Sequence, residues 1–87
     1  MHTDEYEISL LRELVVCKKK VEALNKDLVR REVKFKMTTD RFIDLISRGE
    51  LLVDNQDFVT WLSDYRALRT WQNSMEQYND ILSLMKS

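Results

Sequence analysis

The chain has 87 residues, 44% hydrophobic and 33% charged, with one glycine and no proline, which leaves room for one small domain and excludes multidomain, all-β and Rossmann-type designs that need many turn residues. Its 14 Lys and Arg against 15 Asp and Glu give a net charge of -1, so no global attraction draws it to nucleic acid or an anionic membrane. One Cys and one His exclude a disulfide framework and a zinc site of the usual ligand count.

From about residue 3 to residue 36 no Gly or Pro interrupts the chain, and Leu10, Leu14, Cys17, Val21, Leu24, Leu28, Arg31 and Phe35 recur at spacings of four and three. That is a heptad seam. Glu5 and Glu7 near its start and Arg30, Arg31, Lys34 and Lys36 near its end follow the helix dipole. At roughly 1.5 Å per residue the predicted helix is on the order of 50 Å long. Met37-Thr38-Thr39-Asp40 breaks the pattern, because β-branched hydroxyl residues before Asp suit an N-cap. A short helix over about 39–48 should follow, with Phe42, Ile43, Leu45 and Ile46 on one face and Gly49 as its left-handed C′ residue. A second cap at Asp54 or Asn55 opens another long helix, about 56–85.

In that last helix Phe58, Trp61, Tyr65, Leu68, Trp71, Met75, Tyr78 and Leu82 keep helical spacing. Folded back through the short helix, Leu10 pairs with Leu82, Leu14 with Tyr78, Cys17 with Met75, Val21 with Trp71, Leu24 with Leu68, Leu28 with Tyr65, Arg31 with Trp61 and Phe35 with Phe58. The nearly constant sum of these paired numbers defines an antiparallel register. The expected fold is all-α: one domain, 1–87, an antiparallel helical hairpin of two long helices with a short crossing helix at the turn. Arg31 is expected over the Trp61 face as a cation–π contact. Near the turn, Val29, Val33, Val59 and Leu62 flank the seam and are expected under the short helix. At the open end Ile8, Leu11, Val15, Val16, Ile81, Leu84 and Met85 exceed what the seam can bury, and such a surplus marks a partner or self-association surface. Ile8, Leu11, Val15, Ile81 and Leu84 are the expected contacts of a homodimer, two hairpins forming a four-helix bundle.

The sequence carries no phosphate loop, Ser-His-Asp set, Cys-His pair or H-E-x-x-H motif. No catalytic, cofactor-binding or metal residue is assigned. His2 adjoins the initiator Met, Cys17 lies on the seam as a small hydrophobe, and Asp40 and Asp44 read as a solvated helix face. No apolar run reaches the ~18 residues of a membrane span, and the acidic start lacks the positive region of a signal peptide, so a cytoplasmic protein is expected. Charge is uneven, however. Residues 18–36 hold eight Lys and Arg against Glu22, Asp27 and Glu32, a net +5. Within this basic belt Lys19, Lys26, Arg30 and Lys34 are the candidate partner-binding residues. The belt either contacts a protein partner or, with Trp61 and Tyr65 as a stacking platform, nucleic acid; partial neutralisation by Asp57 and Asp64 competes with both.

The stretch Phe35-Lys36-Met37-Thr38-Thr39-Asp40-Arg41-Phe42, then Arg48-Gly49-Glu50-Leu51, Asp57-Phe58-Val59-Thr60-Trp61 and Tyr65-Arg66-Ala67-Leu68 resembles small helical proteins of bacteria and archaea in which such a segment joins two long helices. These look like antitoxins of toxin–antitoxin operons. The resemblance covers roughly residues 33–72 and departs from the pattern at Phe35-Lys36, where Tyr-Gly often stands. It implies a non-enzymatic protein that binds and neutralises a co-encoded toxin, and it transfers no catalytic residue.

Overall fold

Three helices, α1 (Glu5–Phe35), α2 (Thr39–Ser47) and α3 (Gln56–Lys86), make up the computed structural model, which describes residues 5–86. His2 and Thr3 lie outside the described residues. Local chemistry sets each helix end. Lys36 adopts a left-handed φ of +52°, and the Met37 amide donates to the Glu32 carbonyl at 3.1 Å, closing α1 with the long backward bond of a Schellman-type stop. Two residues later the Thr38 side chain accepts from the Arg41 amide at 3.1 Å as the N-cap of α2, while the Thr39 amide donates to the Glu32 carboxylate at 2.6 Å. Donors left over at the start of α2 are thereby satisfied by the end of α1, which fixes the sharp turn between them.

The end of α2 repeats the device with its expected residue. Gly49 takes φ +73°, its amide donates to the Ile46 carbonyl at 3.0 Å, and that of Glu50 donates to Leu45 at 2.9 Å, the bond pair of a Schellman motif. Of the two candidate caps for α3, Asn55 serves: its side-chain oxygen accepts from the Phe58 amide at 2.9 Å.

α1 and α3 pack along their length into a hairpin with extents of 57 × 22 × 17 Å. Phe35 meets Phe58 with centroids 5.3 Å apart; Leu28 and Tyr65 line one surface hollow, Lys18 and Met75 another. Phe35–Phe58 is one of the expected antiparallel pairs, and the two hollows place the matching stretches of α1 and α3 side by side. Leu10, Cys17, Leu28, Trp61, Leu68 and Leu82, all seam positions, are buried. The tightest packing lies at the turn, where Phe42 of α2 stacks on Trp61 at 3.9 Å and 4° and Phe35 lies nearly parallel to the same indole at 5.6 Å.

Two expectations fail here for one reason: α2 sits over Trp61 and not beside it. With Phe42 and Phe35 against the indole, no room is left for a guanidinium. Arg31 turns to Asp64 instead, at 2.6 Å. The apolar face of α2 joins the core cluster with Trp61, Phe58 and the seam; of the four flanking residues Leu62 packs against that cluster, whereas Val29, Val33 and Val59 are exposed.

Candidate partner-binding surface

Position along α1 determines what each belt residue can do. Arg31 and Lys34 face α3 and are engaged by it: Arg31 pairs with Asp64, both side chains about one-fifth exposed, and Lys34 reaches Asp57 at 2.8 Å while lying 5.3 Å from the Phe35 ring centroid. Arg30 holds Asp27 within its own helix at 2.5 Å. Lys18, Lys19, Lys20 and Lys26 are exposed, and among the described residues no carboxylate lies within ion-pairing distance of them. Helical spacing puts Lys19, Lys26 and Arg30 on the outward face, seven and four residues apart. Of the four candidate partner-binding residues, three therefore share one solvent-facing stripe, and Lys34 belongs to the hairpin's own ion pairs.

The stacking platform does not form. Trp61 is wholly buried, and its indole N–H donates to the Thr39 hydroxyl at 3.1 Å inside the core; Tyr65 is half-buried. An indole closed in by Phe42 and Phe35 cannot stack on a base.

Beside the charged face runs an apolar one. Leu11 and Val15 are exposed and line, with Leu14 and Met75, a hollow of about 270 Å³. Val29 is exposed and forms, with Asn25, Lys26 and Arg30, the wall of a second, of about 450 Å³. Of the expected self-association group, Ile8 and Ile81 are half-buried, whereas Leu11, Val15 and Leu84 are exposed.

Cys17 is buried, and burial, followed by the nearby Glu13 carboxylate, pushes its thiol pKa up, the direction that suppresses the nucleophilic thiolate. Among the described residues no cluster of His, Cys, Asp and Glu is arranged to hold a metal ion, and no helix is long and apolar enough to cross a membrane. Comparison with protein-family models, with curated proteins and with solved structures returned no match.

Proposed function

We propose that this chain is a protein-binding module, an antitoxin-like inhibitor that neutralises a co-encoded toxin in the cytoplasm and self-associates through apolar positions including Ile8, Leu11, Val15, Ile81 and Leu84. One observation carries the reading: the hairpin closes its own core and still presents exposed Leu and Val side chains beside lysines that have no ion-pair partner among the described residues. Exposed apolar area supplies affinity for a protein, and nearby charge supplies selection and encounter rate. A second observation supports the resemblance. Lys36, which departs from the antitoxin-like pattern, occupies the left-handed position where a glycine is conformationally favoured.

The test is co-expression of the chain with the product of its neighbouring gene. Reversing Lys19, Lys26 and Arg30 to Glu should abolish capture of that product while helicity is unchanged. Normal capture by the triple variant removes the outward basic stripe from the interface. Tight, salt-sensitive binding of nucleic acid with no protein recovered would replace this reading with the nucleic-acid one.

A further inference from the structure

The exposed apolar residues of α1 form a second seam. Leu11, Val15, Lys18, Glu22, Asn25 and Val29 follow one another at four, three, four, three and four residues, with Val33 one turn further on. This heptad spacing lies beside the seam that α3 covers. Leu11 is 45% exposed, Val15 53%, Val29 54% and Val33 72%, and the four bracket a charged centre. Run the other way, the same stripe sets Leu11 against Val29 and Lys18 against Glu22, with Val15 facing Asn25 and Val33 facing Glu7.

We propose that a second copy of this chain packs antiparallel on α1 through this seam, with the two-fold axis near residue 20. The inference rests on the self-association part of the proposed function and is independent of the toxin. In this register Leu11 meets Val29 of the second copy, Val15 meets its Asn25, and Lys18 meets its Glu22; each pair of numbers adds to 40, and the symmetry makes every pair occur twice. Lys18 and Glu22 are both exposed, so two reciprocal ion pairs form at the centre, while their aliphatic stems continue the apolar strip.

The direction rests on the central pair, because Arg30, Arg31 and Lys34 further along α1 already hold Asp27, Asp64 and Asp57 of the same chain. A parallel pair in register would set Lys18 against Lys18 and Glu22 against Glu22. The shallow, open hollow bordered by Asn25, Lys26, Val29 and Arg30 falls opposite Leu11 and Val15 of the second copy. The dimer thus takes Leu11 and Val15 from the open end and adds Val29 from the turn end, leaving Lys19 on the outward edge for another partner.

Sedimentation and oxidative cross-linking test the register. Lys18→Glu should weaken the dimer at least about tenfold in dissociation constant, and adding Glu22→Lys should restore it, because the swapped pair is complementary again. Val29→Glu should give monomers with unchanged helicity. In a Cys17→Ala background, Leu11→Cys with Val29→Cys should form a disulfide-linked dimer under mild oxidation; within one chain the two positions are about 27 Å apart along the helix, so the bond must join two copies. A wild-type chain that is monomeric at high micromolar concentration overturns the proposal. So does a dimer that survives Val29→Glu, gives no 11–29 bridge and is broken by Ile81→Glu, an outcome that leaves self-association at the open end standing.

Discussion

Trp61 is the residue on which the turn end depends. Its ring is stacked by Phe42 and Phe35, and its one polar atom is answered by the Thr39 hydroxyl. Thr39→Val keeps the volume but leaves the indole N–H buried without an acceptor, which should cost about 1–3 kcal/mol, measured as a fall in the urea midpoint. Trp61→Ala should cost about 3–5 kcal/mol, since the cavity opens in the middle of the aromatic cluster. Lys36 offers the opposite sign. A side chain in the left-handed region is strained by about 1–2 kcal/mol, and glycine returns part of that to backbone entropy, so Lys36→Gly should raise stability by about 0.5–1 kcal/mol in the same urea titration. Cys17 gives a pH dependence. Its folded pKa is raised, so the unfolded chain loses the thiol proton first. The contribution of the neutral thiol is complete below the unfolded pKa and is lost as pH rises from there through the higher folded value. The denaturation midpoint should fall with rising alkalinity in the wild type and fall less in Cys17→Ala; equal slopes would contradict the burial argument.

At the scale of the helices, periodicity and end signals explain why so much could be read in advance. Seam spacing marks α1 and α3 because one stripe of each is buried by the other, and Thr38, Gly49 and Asn55 mark ends because their side chains or φ angles solve local backbone problems. What failed to show in the sequence is how α2 lies. Any short amphipathic helix at the turn can cover either flank, and the choice is made by contacts far apart in the chain: Glu32 to Thr39, Thr39 to Trp61, Phe42 on the indole. Seam position alone does not reveal that Phe42 takes the indole face and turns Arg31 to Asp64. A lysine carries no signal for a left-handed stop, so the role of Lys36 shows only in its φ. The basic belt was legible as a composition, yet its division into an outward stripe and residues engaged by α3 needed the helix rotation. The N-cap assignment predicts that Asn55→Ala lowers stability by about 1 kcal/mol, whereas Asp54→Ala, one residue away and exposed, should change it by less than about 0.5 kcal/mol, both read from thermal unfolding.

At the scale of the whole molecule, shape and stability are linked. An elongated hairpin with extents of 57 × 22 × 17 Å exposes a large surface for its volume, and among the described residues seven hydrophobic ones are buried. The fraction of surface buried on folding rises with chain size, so a chain this short and this elongated has a thin margin over conformational entropy. Packing a second α1 against the Leu11–Val29 seam adds buried apolar area where the monomer lacks it, midway between the aromatic turn and the open end. Assembly that binds the folded state alone stabilises it by mass action. The melting temperature of the wild-type chain should therefore rise as its concentration is raised, and that of Val29→Glu should be lower and independent of concentration. The comparison separates the two origins of stability. An exposed valine changed to glutamate costs the isolated hairpin almost nothing, so a concentration-dependent difference between the two chains reads the dimer, whereas a fixed offset at every concentration would locate Val29 in the monomer's own packing and remove it from the seam.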